Sequence, residues 1–346
     1  MKDNQIIKEA LNADFLLMHQ NIPVYDITND KIINENFSPG AIKRGYLSFF
    51  EWMKTRYSAN SNVKSRRAML RTFGTDNHNN ILKLTRALSL SDQYWLKEKS
   101  EDVRFESITP YLHESWVEGD WFSEGSIATL FTNGAATKQW DNSSELRKFN
   151  SKKEYDVFRI ISEIWPDAFE AQLIPSSRLD GEDLLISNFT SMDVFLEAFD
   201  QSAELGPIDN HFDKAIELYG KSAVNLLLLD YLVEHDDRHS GNIGILRCSH
   251  TGNRLEKMSP WYDFDWCFSD NVTPLPYSVF TDYPDCVSDF VSKVKFLSES
   301  SELVKQYHAA ISKRINELDK IRHSSHPNHE AQANKGIAPR ANSLRS

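Results

Sequence analysis

An α+β fold in two lobes, a small one of mixed strands and helices followed by a mostly helical one, is what this sequence predicts. The chain has 346 residues and is 40% apolar, which is longer than one ordinary domain and enough to bury one large core or two smaller ones. Short strand-like runs punctuated by turn residues come before about residue 204 and long helical periodicities after it, the order expected of α+β architecture. No internal repeat interrupts that order. The boundaries expected are an N-terminal region over 1–118 packing on the two lobes, a small lobe over 119–204, a helical lobe over 205–321 and a disordered tail over 322–346.

Taken in order, residues 3–52 mix helical and extended patterns around a turn at Ser38-Pro39-Gly40. A basic stretch, Lys64, Arg66, Arg67 and Arg71, precedes ILKLTRALSLSDQYW, whose apolar spacing predicts a helix stopped at Ser91-Asp92. Those cations read as a solvated helix face, and a helix-turn-helix directed at DNA is the competing reading. Asn133-Gly134 marks a hairpin within FTNGAATKQW, and Glu145–Phe149 reads as a short strand. Tyr155, Val157, Phe158, Ile160, Ile161 and Ile164 recur at a helical period until Pro166 ends the helix. LLISNF, residues 184–189, predicts a strand, and a new helix is expected from Ser191. FDKAIELYGKSAVNLLLLDYLV is too apolar along Ala223–Val233 for the surface and predicts a buried helix. A strand Ile243–Leu246, a turn at 249–253 and a strand ending in WYDFDW predict a hairpin, and helix returns from Val287 to Ile321. The final stretch has almost no large apolar residues.

Composition narrows the function classes. A net charge of −11 and a pI near 5.5 argue against a direct nucleic-acid binder, which needs a basic footprint. Cys248, Cys267 and Cys286 are an odd number without metal-ligand spacing, so neither a disulfide framework nor a zinc site is indicated. Charges break the N-terminus before any signal-peptide core forms, and no run of 18 apolar residues occurs, so a cytoplasmic protein without a membrane partner is expected.

One constellation carries chemistry. Phosphoryl transfer from ATP demands a cation on the phosphates, magnesium held by oxygen ligands and an aspartate at the acceptor hydroxyl. Asp237-Arg-His-Ser-Gly-Asn242 sets an aspartate and an asparagine five residues apart in a loop after the buried helix, with Gly241 and Gly244 permitting a sharp backbone path. The expected hairpin would carry Asp263 back beside Asn242, a pair of oxygen donors suited to Mg²⁺. Lys148 on its strand and Glu154 at the start of the next helix are the expected ion pair that positions the phosphates, with Lys138 and Lys152 as substitutes for Lys148.

DRHSGN followed by WYDFDW resembles the catalytic and metal-binding loops of the HipA-like kinases, and D-R-H-x-x-N also resembles phosphatidylinositol kinases. LSLSDQYW, TNGAATKQW, ELRKF and EYDVFRIISEI follow in the order of bacterial HipA-like members, so the likeness spans about Ala87 to Trp266. The resemblance implies a two-lobed protein kinase-like fold and ATP- and Mg²⁺-dependent Ser/Thr phosphorylation of a protein substrate. In it Asp237 is the base, Asn242 and Asp263 are metal ligands, and Lys148 lies on the phosphates. It also implies an antitoxin or other regulator as partner, and autophosphorylation of a loop serine, for which Ser143, Ser144 and Ser151 are placed. No G-x-G-x-x-G and no D-F-G occur, and Asp265 is a second candidate ligand beside Asp263.

Asp and Asn also serve as caps and turn-formers, which is the reading of Asp236. His239 is expected to pack beneath the loop, hydrogen-bonding its backbone close to the nucleotide. Trp261 and Trp266 are expected in the core. A metal hydrolase using His235 and His239 on one helix face, a pseudokinase or regulatory nucleotide-binding module, and a lipid kinase are the alternatives. The hydrolase lacks the glutamate of H-E-x-x-H, and the lipid kinase lacks a basic membrane-facing patch.

Overall fold

The structure is a computed structural model and describes residues 14–56, 74–75, 78–113, 138–149, 151–165, 171–176, 181–206, 210–235, 237–268 and 282–323. The Asn133-Gly134 hairpin, the basic stretch at 64–71, Asp236 and the tail beyond 323 lie outside them. The chain divides into two compact units of interleaved segments. The first comprises Met1–Tyr155, Phe169–Lys214 and His239–Tyr262, and the second Asp156–Ala168, Ala215–Arg238 and Asp263–Ser346.

Among the described residues the first unit holds three antiparallel sheets. Strands β1 (Phe15–His19), β2 (Ile22–Asp26), β3 (Lys31–Ile32) and β4 (Tyr94–Glu98) form a sheet of order β3-β2-β1-β4. Its apolar face packs with helices α1 (Gly40–Lys43), α2 (Phe49–Thr55) and α3 (His78–Leu84) into a core that includes Leu17, Phe49, Met53, Trp95 and Phe105. Ser48 caps α2 in a reciprocal box with Glu51, whose carboxyl is held below its ordinary range by the Ser48 backbone N–H. A second sheet, β5-β6-β8-β7, consists of β5 (Lys138–Asn142), β6 (Glu145–Lys148), β7 (Ala171–Pro175) and β8 (Glu182–Ser187). The third pairs β9 (Val194–Ala198) with β10 (Gly244–Cys248).

The second unit is helical. Helix α4 (Lys152–Ile164) enters it at Asp156 and buries Val157, Phe158, Ile160, Ile161 and Ile164 on one stripe. The predicted single apolar helix is two, α5 (His211–Tyr219) and α6 (Lys221–Leu232), broken at Gly220 whose φ of +53° favours glycine. Helix α6 is buried nearly all round and packs on α7 (Pro284–Ser300) and α9 (His308–His323), with the short α8 (Glu302–Gln306) between those two.

Three other expectations are corrected. The helix before Ser91 stops at Leu84, and Tyr94 and Trp95 enter a strand. Ser191 begins no helix: Val194, Phe195 and Leu196 are β-formers, and pairing with β10 settles the segment as strand β9. The predicted hairpin from Ile243 to Tyr262 is cut short: Arg254 bridges back to Arg247, the Cys248 N–H donates to the Asn253 carbonyl and the Leu255 N–H to the Leu246 carbonyl, but no second strand runs on to Tyr262, and β10 takes its strand partner from 46–54 residues upstream.

Candidate active site

In the first unit, β6 places Lys148 opposite Leu184 of β8 and Lys138 of β5. Its ammonium donates to both oxygens of Glu154, at 2.8 and 2.9 Å, from the first turn of α4. The two side chains are 4% and 1% exposed. A buried ion pair of this kind repays its desolvation only with good geometry, so two close contacts to one carboxylate are what the environment requires.

The loop that follows α6 is anchored at several points. Arg238 donates to both oxygens of Asp230 at 2.9 and 3.0 Å, with both side chains buried, and its guanidinium lies 4.9 Å from the Phe264 ring centroid. Asp237, next to it, is exposed. On the first unit's side of the loop, His239, Ser240, Gly241 and Asn242 form a 3₁₀ turn in which the Asn242 N–H donates to the His239 carbonyl at 2.9 Å. The ring Nδ1 of His239 accepts from the Gly241 N–H at 3.1 Å, but the side chain is exposed rather than packed beneath the loop. Neither Gly241 nor Gly244 has a positive φ. Gly244 is needed for packing, since a Cβ there would lie 2.3 Å from Leu196 Cδ1 and 2.7 Å from Ser259 Oγ. That close approach of β9 pins the strand leaving Asn242.

In the second unit Asp263 has φ of +63°, a left-handed conformation that is uncommon for a residue other than glycine and is tolerated best by Asn and Asp. Phe264, fully buried, meets Phe158 edge-on at 5.8 Å and His235 at 5.7 Å. The chain leaving the site is fixed as well: the Phe268 N–H donates to the Val233 carbonyl at 2.5 Å, and its ring stacks on Tyr307 at 3.9 Å. Trp266 is 50% exposed, so it is not a core residue, and Trp261 is half-buried.

His235 corrects the hydrolase expectation. Helix α6 ends at Leu232, so His235 and His239 share no helix face. The His235 ring is buried against Phe264 and, among the described residues, both its nitrogens lack hydrogen-bond partners, while burial lowers its pKa against the opposing field of Asp230, Asp263 and Asp237. Sequence reasoning missed this packing of the histidine before the loop on the phenylalanine after Asp263; the signal was the apolar Phe264 between two aspartates. It also missed the Arg238–Asp230 fork, which an arginine eight residues after a buried aspartate does not announce.

No family profile and no curated protein matches the sequence. Among solved structures, the HipA of Shewanella oneidensis MR-1, from a toxin–antitoxin complex with HipB and its operator DNA, is similar over 89% of this chain and 99% of its own. The TM-score is 0.54 and the identity 11%, a likeness of fold. The proinflammatory kinase CtkA of Helicobacter pylori aligns with 55% of this chain and 94% of its own, at a TM-score of 0.37 and 14% identity. The chain therefore has a fold like that of HipA. Among the described residues no helix is long and apolar enough to cross a membrane.

Proposed function

We propose that this protein is an ATP- and Mg²⁺-dependent phosphotransferase, a HipA-like Ser/Thr protein kinase. The observation that carries the proposal is the buried Lys148–Glu154 pair, formed by a strand lysine and the first turn of the following helix. A positioned lysine of this kind is what kinases require to orient a triphosphate.

In this reading adenine lies near β8 and the triphosphate runs toward Lys148, held in place by Glu154. Asp237, exposed on an anchored loop, accepts the proton of, or orients, the acceptor hydroxyl. The donors Asn242 and Asp263, an amide and a carboxylate oxygen, are the hard ligands that Mg²⁺ selects, and Asp265 is a further carboxylate two residues on. Bound by these residues, magnesium would supply positive charge to offset that of the phosphates. His239 fixes the loop backbone beside Asn242 through Gly241. The partners proposed are a protein substrate and a regulator protein, as the toxin–antitoxin setting of the similar structure suggests.

The test is incubation with γ-labelled ATP and Mg²⁺, wild type beside Asp237→Ala, read by intact mass and peptide mapping. Label on the wild type alone supports the kinase and identifies any residue it modifies in itself, Ser143, Ser144 and Ser151 among the candidates. Nucleotide binding without label in the presence of candidate substrates favours a regulatory nucleotide-binding module, and loss of both removes the proposal.

A further inference from the structure

The residue at which the chain leaves α6 for the candidate catalytic loop, Glu234, sits at φ of +52° without being a glycine. That conformation closes α6 in a Schellman turn, with the His235 N–H donating to the Asp230 carbonyl at 2.9 Å and the Glu234 N–H to the Tyr231 carbonyl at 3.4 Å. The side chain of Glu234 is gripped from a distance in sequence. Arg314, in the middle of α9, donates from Nε and Nη2 to Oε1 of Glu234 at 3.2 and 3.1 Å. Its remaining nitrogen Nη1 donates to Glu317 at 2.9 Å, and its guanidinium lies 4.8 Å from the Tyr231 ring centroid. The Tyr231 hydroxyl donates to Glu317 in turn. The Arg314 side chain is 4% exposed and that of Glu234 13%, so this is an interior pair rather than a screened surface contact.

We infer that Arg314 is a positioning residue for Asp237: through Glu234 it fixes the entry to the loop, as Arg238 through Asp230 fixes its other side. Asp237 lies between these two anchors, three residues after Glu234 and one before Arg238. A base presented to an acceptor hydroxyl must be held within a fraction of an ångström, and an exposed side chain on a loop gains that constraint from what grips its backbone. The left-handed Glu234 is a conformation that the surroundings must hold, and the Arg314 fork on its side chain adds to the two backbone bonds that close the helix. The inference rests on the kinase reading for the role of Asp237, but the anchoring itself does not.

Arg314→Met and Glu234→Gln, singly and together in the full chain, test it with two readouts. Amide exchange at His235, Asp237 and Arg238 is expected to quicken at least ten-fold in either single variant, with exchange in the centre of α7 unchanged. Mg²⁺-dependent turnover of ATP is expected to lose ten-fold or more in kcat at an unchanged KM for ATP. The double variant is expected to be no worse than the poorer single one, and Arg314→Lys to recover part of the loss. Unchanged exchange at 235–238 in Glu234→Gln, the milder change, overturns the inference. Full kcat in that variant overturns it too. Turnover retained by Asp237→Ala instead removes the kinase reading of the loop, and the exchange data then decide the anchoring alone.

Discussion

Each unit buries an ion pair close in sequence to candidate site residues, and the two pairs differ in a way that separates chemistry from scaffolding. In the first unit the cation is a lysine, a compact charge set against both oxygens of Glu154. In the second it is an arginine whose planar fork is matched to Asp230. A guanidinium locked bidentate onto a carboxylate is committed to that partner, whereas an ammonium is a point charge that can serve a second anion such as a phosphate. The difference teaches that burial of charge alone does not mark a functional group; the shape of the cation does.

The sharpest break in this comparison would come from Asp237, which neither pair contains. Asp237→Ala is expected to lower phosphoryl transfer by roughly 10²–10⁴-fold while leaving the unfolding midpoint in place, because the residue is exposed. Lys148→Met is expected to abolish measurable transfer and also to cost about 3–5 kcal/mol in urea unfolding, since Glu154 is left buried without its cation. Adding Glu154→Leu to that variant should restore most of the stability and none of the activity. Arg238→Met should cost a similar amount through Asp230 but leave nucleotide binding by titration intact, in keeping with a structural role.

A smaller effect tests burial without pairing. His19, with no exposed surface, has one ring nitrogen 2.9 Å from the Ser249 carbonyl, and burial lowers its pKa to about 4. Its folded pKa is depressed, so the unfolded chain binds the proton more readily. The stability it supports is fully present above pH 6.5 and is lost as the pH falls toward 4. The loss should approach about 3 kcal/mol, at roughly 1.4 kcal/mol per pKa unit. His19→Gln should flatten that part of the pH profile in denaturant melts. The smallest expected effect is at the helix break, where Gly220→Ala should cost about 1–3 kcal/mol from backbone conformation alone, since among the described residues nothing beyond the neighbouring helix backbone lies within 4 Å of the added Cβ.

How much of this could be read in the sequence depended on how local the cause was. The α4 stripe and the β6 and β8 strands follow from periodicity over a dozen residues or fewer, and the Lys148–Glu154 pair spans six. Strand β9 was missed because its partner β10 lies about 50 residues away, and VFLEA is too short to fix its own state. The exposure of Trp266 was misjudged because residue type says nothing of which side of a turn faces solvent. Arg314 reaching Glu234 across 80 residues, and the left-handed Asp263, have no sequence signature that periodicity or spacing can show.

The interleaving of the two units has a consequence for how the chain is made. The first unit takes its last segment from His239–Tyr262 and the second its first from Asp156–Ala168, so neither is finished in the order of synthesis. Strand β9 emerges from the ribosome long before β10, and must wait with an unpaired edge until residue 244 follows. Until then the nascent protein exposes the strand edge that β10 will pair, a window in which chaperones and misfolding compete for the same edge.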